Sequence, residues 1–518
     1  MDVLVILVVQ FTDRHLLAGR RFASLAALMF ALGVGRGATH GAEDSDWPTG
    51  TPEEVGLDSA PLAEMFDFVR ARTIPVHSVQ IVRHGRLVLD AYFYPYSAGT
   101  RHDVASVTKS MTSTLVGLAT EKGFLSDVQQ PVMSVLQRHV AANLDARKRK
   151  LSLEHLLTMQ AGWDCGFEPN EARLFEMRRS ADWLQFMLDL PMIAEPGTRW
   201  AYCSGNCHLV SAMITQTTGT NALAFARREL FAPLGIHDAV WPADARGNNH
   251  GWGDLQLHPR DMAKLGQLFL QRGRWGNRQV ISEAWIRAAT RAHVEPSNGD
   301  HYGYFWWVKG KDYPGMFEAV GRGGQRINVW PAKDLVLVFT GGGFEPGDLA
   351  RFILKALKSD DQLPANTQAL AQLRRRIAEA ARPPSARPVA KLPPIAGLIS
   401  GKTFKVNSNT LNLSAVSLKF DGSAEAQVEL LWDGHRERYR LGLDGVGRFS
   451  TNALVNLPCL TRGQWLDDSA FLLQLDLVGG INSYRFNLVF DEQGTKLSAK
   501  LSERTGLNEE QFDGVVSP

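Results

Sequence analysis

The sequence predicts an α+β protein: an antiparallel sheet flanked by helices, a helical lobe inserted between its strands, and a C-terminal all-β barrel or sandwich module. Three observations support this prediction. Strand-like runs occur at 78–93 and again at 303–340, helical patterns dominate the chain between them, and apolar and polar residues alternate within 399–518. Strands at both ends of a helical segment indicate one sheet that is assembled from both ends.

Each element has a local signal. Asp58 and Ser59 begin a helix with apolar residues at helical spacing, and His84-Gly85-Arg86 forms the turn of a hairpin. Later helices begin at a capping residue or a proline and end near glycine or proline. They are predicted at 106–117, 152–160, 206–218, 222–230, 259–272 and 347–358.

The patterns divide the chain into four parts. Residues 1–42 are an export signal or N-terminal anchor, 48–358 form the main domain, 359–398 are a helical and proline-rich linker, and 399–518 form the β-rich C-terminal domain. The proline content of 382–394 indicates a semi-rigid connection.

The N-terminus predicts export to the periplasm or the medium. Arg20-Arg21 precede an apolar run at 22–34, and small residues follow it. The run is too short for a comfortable membrane span, so we expect none in the mature chain. An uncleaved anchor and a buried N-terminal helix remain alternatives.

Composition excludes some partners. The formal net charge is only +2 and 21% of residues are charged, so no basic surface for nucleic acid is indicated. The four cysteines, Cys165, Cys203, Cys207 and Cys459, form no C-x-x-C pair, so we expect no metal site and no cofactor. Export would favour a disulfide. Cys165 and Cys203 lie in loops beside the candidate site described next, so we predict this pair; four free thiols are the alternative.

The tetrad Ser106-Val107-Thr108-Lys109 contains a candidate nucleophile and a candidate base. A serine and a lysine three residues apart share one face of a helix. A serine hydroxyl needs a base to become a nucleophile, and a lysine amine can be that base if its charged form is disfavoured. The alternative is an ordinary helix start, with Ser106 as the cap and Lys109 in solvent.

Five further segments follow the tetrad in a fixed order. They are 156–162 (LLTMQAG), 195–204 (EPGTRWAYCS), 230–236 (LFAPLGI), 258–264 (HPRDMAK) and 321–325 (GRGGQ). Together they resemble the serine β-lactamase and penicillin-binding-protein superfamily, in the class C-like branch that includes esterases, D-amino-acid peptidases and 6-aminohexanoate-dimer hydrolases. The resemblance covers about residues 50–358.

The resemblance implies roles for residues of this chain. Ser106 would form an acyl-enzyme, Lys109 would accept its proton, and Tyr202 would share the proton transfer and protonate the leaving group. The oxyanion hole would use the backbone N–H of Ser106 and one from the strand around Gln325.

Two motifs depart from those of the β-lactamases. Tyr202-Cys203-Ser204 stands where they have Tyr-x-Asn, and Arg322-Gly323-Gly324 stands where they have Lys-Thr-Gly or His-Thr-Gly. Arg322 is either a fixed charge for a substrate carboxylate or a solvent-facing loop residue. Ser204 and the segment Arg322 to Gln325 are assigned to the oxyanion hole and to substrate binding, and the departures favour a non-lactam ester or amide.

We therefore expect a serine hydrolase that acts on small esters or amides. A D,D-peptidase or weak β-lactamase is the first alternative, and a non-catalytic sensor of the same fold is the second. His208, His250 and His258 are interpreted as structural residues, and Asp254 and Asp261 as turn and cap residues. The substrate, the role of the C-terminal domain and the oligomeric state stay open.

Overall fold

The computed structural model describes residues 47–166, 171–296 and 299–517. The predicted export signal at 1–42 lies outside these residues, so export stays a prediction. Within the described ranges, no helix combines the length and the apolar character needed to cross a membrane.

The main domain contains short and long strands. In the described part of the chain up to residue 341 they are β1 (Val76–Arg83), β2 (Arg86–Tyr92), β3 (His102–Asp103), β4 (Gln256–Leu257), β5 (Arg274–Trp275), β6 (Arg278–Gln279), β7 (His301–Tyr302), β8 (Trp307–Val308), β9 (Phe317–Gly321), β10 (Gln325–Trp330) and β11 (Leu335–Gly341).

Helices surround these strands. The α-helices described up to residue 380 are α1 (Ser59–Arg72), α2 (Val107–Glu121), α3 (Val132–Val135), α4 (Ala146–Arg149), α5 (Leu153–Leu157), α6 (Ala172–Arg179), α7 (Trp183–Asp189), α8 (Ser204–Thr218), α9 (Ala222–Ala226), α10 (Pro259–Leu270), α11 (Glu283–Ala289), α12 (Gly347–Ala356) and α13 (Thr367–Ala380). Single turns of 3₁₀ or π helix lie at Glu53–Val55, Arg227–Phe231, Ala232–Leu234, Arg322–Gly324 and Pro331–Lys333.

One antiparallel sheet forms the centre of the main domain, in the order β2-β1-β11-β10-β9-β8-β7. Strand β1 pairs with β11, with Val79 opposite Phe339, so the two ends of the domain meet in the sheet as predicted. Side chains of successive residues in a strand point to opposite faces of the sheet. Val79 and Phe339 pack in the core with α1 and α12, whereas Val82 and Val338 pack in the core with α2 and α10.

The predicted helical lobe is also confirmed. Helices α3 to α9 lie in the chain between β3 and β4, and α8 contacts α2, α5 and α7. Gly205 on α8 allows a close approach to α7: a Cβ atom there would lie 2.2 Å from the sulfur of Met187. Through the contact of α8 with α2, the lobe packs directly against the helix that starts after Ser106.

The C-terminal domain is a barrel rather than a sandwich. Its elements are α14 (Pro394–Ile399), β12 (Thr403–Val406), β13 (Leu413–Phe420), β14 (Glu425–Trp432), β15 (His435–Gly442), β16 (Arg448–Asn452), β17 (Leu457–Trp465), β18 (Ala470–Leu477), β19 (Ser483–Phe490), β20 (Lys496–Glu503) and β21 (Glu509–Val516). Neighbouring strands run antiparallel in the order β15-β14-β13-β12-β21-β20-β19-β18-β17-β16, and a parallel contact between β15 and β17 closes the ring. Buried side chains such as Leu430, Phe486 and Leu501 fill its interior.

The segment predicted as a linker contains helix α13, which packs on α1. Leu373 of α13 is buried in the core shared with α1, and Arg376 pairs with Asp67 of α1 at 3.1 Å. Residues 383–393 beyond α13 have no regular structure. The exact domain boundaries stay predictions.

Candidate active site

Ser106 occupies the N-cap position of α2, at the end of a tight turn. Ala105 adopts a positive φ of 48°, and its N–H donates to the Asp103 carboxylate at 2.8 Å. Positive φ is costly for a residue other than glycine, and it is common at functional sites. The Ser106 side chain makes no capping hydrogen bond, so the interpretation of Ser106 as an ordinary cap is wrong.

Lys109 is buried, not in solvent. Its side chain is only 1 % exposed, and its Nζ donates to Ser106 Oγ at 2.7 Å and to the Trp252 carbonyl at 3.1 Å. The same Nζ lies 4.8 Å from the centre of the Tyr202 ring. The serine, the amine and the phenol ring therefore lie together.

The groups around Lys109 raise the pKa of its ammonium. Burial disfavours its ammonium, but Tyr202, Cys207 and Glu171 outweigh burial and raise the pKa of Lys109. The surroundings of Lys109 therefore favour its charged form, whereas the serine–lysine pair was expected to need a lysine whose charged form is disfavoured.

Tyr202 is positioned by the segment that leads into α8. The N–H of Ala201 donates to the Met159 carbonyl at 2.9 Å, and Cys203 is joined to Cys165 by the predicted disulfide. Burial raises the pKa of the Tyr202 phenol above its ordinary value. Lys109 opposes this shift, because an ammonium favours the phenolate.

Glu171 is a site residue that the sequence analysis missed. Its carboxylate accepts hydrogen bonds from the N–H of Ser204 at 3.0 Å and from Ser204 Oγ at 2.8 and 2.9 Å. Its charge raises the pKa values of Lys109 and Tyr202. A lone glutamate before a short polar helix gives no sequence signal, because only folding brings α6 and α8 together.

Gly321, at the end of β9, is a second residue that was missed. A Cβ atom at this position would lie 2.5 Å from the Val104 carbonyl oxygen and 3.1 Å from Ala105 Cβ. The backbone of β9 therefore touches the turn that precedes Ser106, and the absence of a side chain makes this approach possible. The next backbone N–H along the chain after Gly321 is that of Arg322.

The side chains of Arg322 and Gln325 have structural partners. Arg322 donates to Thr505 Oγ1 at 2.8 Å and to Asn482 Oδ1 at 3.1 Å, both in the C-terminal domain. Gln325 is fully buried, and its amide nitrogen donates to the Gly341 carbonyl at 2.6 Å. Arg322 is thus not a solvent-facing loop residue, and Gln325 connects β10 to β11.

Gly323 and Gly324 form a turn that no larger residue fits. Their φ angles are 80° and 99°, and Cβ atoms there would lie 2.4 Å from Ile481 Cγ2 and 2.5 Å from Phe344 Cε1. These glycines shape the turn and its contact with the C-terminal domain.

The three histidines singled out in the sequence each pair with a carboxylate. His208 lies 3.0 Å from Asp244, His250 lies 2.7 Å from Asp254, and His258 lies 3.1 Å from Asp238. These pairs fit the structural interpretation of the three histidines. In the ranges that the structure describes, no cluster of three or more potential metal ligands is present.

The β-lactamase family model matches residues 63–358, more than half of the chain. The chain belongs to the β-lactamase family. Two curated relatives of this chain, described next, are hydrolases, and the protein is a hydrolase. The match spans α1 to the end of the main domain, and so includes the tetrad and the turn after β9.

Two curated relatives are similar to this chain. A 6-aminohexanoate-dimer hydrolase of Paenarthrobacter ureafaciens is 23% identical over 281 residues, which are 50% of this chain and 70% of the relative. A D-aminopeptidase of Brucella anthropi is 30% identical over 192 residues, which are 32% of this chain and 34% of the relative.

A solved structure supports the fold. EstCE1, a hydrolase with promiscuous acyltransferase activity, superposes with a TM-score of 0.50 at 17% identity and covers 58% of this chain and 99% of its own. At this identity the comparison concerns the fold alone.

Proposed function

We propose that the protein is a serine hydrolase that cleaves small esters or amides through an acyl-enzyme on Ser106. One observation carries this proposal: the buried Lys109 Nζ donates to Ser106 Oγ at 2.7 Å beside the Tyr202 ring. Nucleophilic catalysis requires a nucleophile that lies beside the groups that exchange its proton, and here these groups are the Lys109–Tyr202 pair.

The proton acceptor is the Lys109–Tyr202 pair after it has lost one proton. Both pKa values are raised, so the resting pair holds an ammonium and a phenol at neutral pH. Loss of one proton leaves a form in which the Lys109 ammonium stabilises the Tyr202 phenolate. The phenolate then takes the proton of Ser106. Activity should accordingly rise with pH above neutrality.

The proposed reaction has two steps, acylation of Ser106 and hydrolysis of the acyl-enzyme. Ser106 Oγ attacks the carbonyl carbon, and its proton passes to Tyr202 and then to the departing alcohol or amine as the ester or amide bond breaks. Water next attacks the acyl-enzyme, releases the acid and restores the hydroxyl of Ser106. We place the oxyanion between the backbone N–H groups of Ser106 and Arg322, because Gly321 lies against the turn before Ser106.

The charges of the site support a substrate without a carboxylate. The Glu171 carboxylate lies on Ser204, where it would repel an anionic group. The Arg322 guanidinium, a candidate partner for such a group, is bound to Thr505 and Asn482. Penicillins and D-alanyl peptides carry carboxylates, so these contacts favour neutral or cationic esters and amides.

The test uses a fluorophosphonate probe and p-nitrophenyl butyrate. Ser106→Ala should abolish probe labelling and ester hydrolysis. Ser113→Ala is the matched control: Ser113 is a buried serine of the same helix, α2, and its hydroxyl has no hydrogen-bond partner among the described residues. It should retain labelling and turnover within about two-fold.

Three outcomes decide between the alternatives. Hydrolysis of p-nitrophenyl butyrate that survives Ser106→Ala would refute the role of Ser106. A stable penicilloyl adduct on Ser106, measured by mass spectrometry after incubation with benzylpenicillin, would favour the D,D-peptidase or β-lactamase alternative. A folded wild-type protein that is inert to the probe and to a panel of esters, D-peptides and 6-aminohexanoate oligomers would favour the sensor.

A further inference from the structure

A cavity of about 570 Å³ lies between the main domain, helix α13 and the C-terminal barrel. Its walls come from α1, the start of β1, the 93–96 segment, α13 and strands β17 to β19. Cavities of about 300–1,000 Å³ are typical of small-molecule sites. Ser106, Lys109 and Tyr202 do not line it, so it is separate from the candidate active site.

One part of the cavity wall is apolar. Phe66 and Val69 of α1 line it together with Phe93, and the rings of Phe66 and Phe93 stack with their centres 5.4 Å apart. Leu460 and Ile481 line it from the barrel side. An aliphatic or aromatic body would bury apolar surface against these side chains.

The polar part of the wall carries more positive than negative charge. Five arginines line the cavity against two carboxylates: Arg70, Arg376, Arg382, Arg462 and Arg504 against Glu379 and Asp476. On the α13 side, Arg70 and Arg376 lie near Glu379 at 3.5 and 2.8 Å and are largely neutralised by it and by Asp67.

The arginines on the barrel side are less well neutralised. Arg462 and Arg504 share one carboxylate, that of Asp476, at 3.7 and 3.6 Å, and both side chains are about two-thirds or more buried. Arg382 lines the cavity from the exposed end of α13. Guanidinium groups bind carboxylates with paired hydrogen bonds, and partly buried positive charge favours a bound anion.

We propose that this cavity binds a small organic anion, a carboxylate with an apolar body such as a medium-chain fatty acid. The carboxylate would contact the guanidinium groups of Arg462 and Arg504 from the cavity, and the chain would extend toward Phe66 and Phe93. This proposal does not depend on the activity of Ser106, because binding is measured directly.

The test is isothermal titration calorimetry of the full-length protein with sodium decanoate. Arg504→Gln removes one of the two arginines that share Asp476, and should weaken decanoate binding at least ten-fold. Arg382→Gln should weaken decanoate binding less, by about three-fold. Because Arg382 is exposed, this variant should fold and can test the proposal even if Arg504→Gln does not fold. Circular dichroism establishes the fold of each variant.

The matched control is Arg485→Gln. Arg485 is an exposed arginine on β19, next to the strand end that lines the cavity, and is not part of the wall. It should bind decanoate as the wild type does, within two-fold. Asn482 and Ile481 are left unchanged, because they also contact Arg322 and Gly323.

A ligand series tests the chemistry. 1-Decanol and decyltrimethylammonium carry the same chain without a negative charge, and both should bind at least ten-fold more weakly than decanoate. The proposal is overturned if decanoate does not bind the wild type, if folded Arg504→Gln and Arg382→Gln both bind it unchanged, or if 1-decanol binds equally well.

Discussion

Replacing Gly321 by alanine would separate the two proposed oxyanion donors. The added methyl would lie 2.5 Å from the Val104 carbonyl oxygen, whereas an ordinary carbon–oxygen contact is about 3.3 Å. Both the oxygen and Gly321 belong to backbone, so β9 and the turn before Ser106 must move apart by about 0.8 Å. A misplacement of about 1 Å can cost about 100-fold in rate.

We therefore expect Gly321→Ala to lower kcat for p-nitrophenyl butyrate by about 10- to 100-fold, with a loss of about 1–3 kcal/mol in stability from overpacking. KM should change much less, because the displaced groups act in the transition state. Gly253→Ala is the control, since its nearest heavy atom, the Ala105 carbonyl oxygen, is 4.0 Å from the added carbon. A folded Gly321→Ala enzyme with wild-type kcat would refute the reasoning.

Three further predictions concern charge and covalent structure. Glu171→Gln removes a carboxylate that raises the pKa values of Lys109 and Tyr202, so the rise of kcat/KM with pH should move to lower pH; an unchanged profile would contradict the role of Glu171. Burial and Asp254 raise the pKa of Asp103 to about 7, so its stability contribution is greatest below pH 4 and is lost as pH rises to 7. We therefore expect the unfolding free energy of Asp103→Asn, measured by urea titration, to exceed that of the wild type by more at pH 8 than at pH 4. The same difference in unfolding free energy at both pH values would refute this prediction. Cys165→Ser opens a 38-residue loop and should lower the unfolding free energy by about 4 kcal/mol, measured by chemical denaturation; a loss below about 1 kcal/mol would count against it.

Local patterns were sufficient to predict the architecture of this protein. Alternation of apolar residues identified the long strands, and capping residues and glycines identified the ends of the longer helices, because both depend on neighbours a few positions apart. Two-residue strands such as β3 and β5 and short helices such as α3 and α6 were not predicted. The same short range brought Ser106 and Lys109 together, since one helical turn fixes their spacing.

The state of the site depended on contacts between distant segments. The pKa of Lys109 depends on its burial and on Tyr202, Cys207 and Glu171, which come from other elements of the lobe. Arg322 occupies a place that suggested substrate binding, yet Thr505 of the barrel holds its side chain. Coulombic interaction depends on distance in space and on the local dielectric, and neither follows from position along the chain.

The sequence by itself determined the class of fold, the serine–lysine pair and the order of the segments around it, because each depends on residues that are close together in the chain. The tertiary structure alone decided the charge of the pair, the approach of Gly321 to the turn before Ser106, and the arginine-rich cavity beneath the barrel. These features arise where segments hundreds of residues apart pack together, and packing is a property of the folded chain.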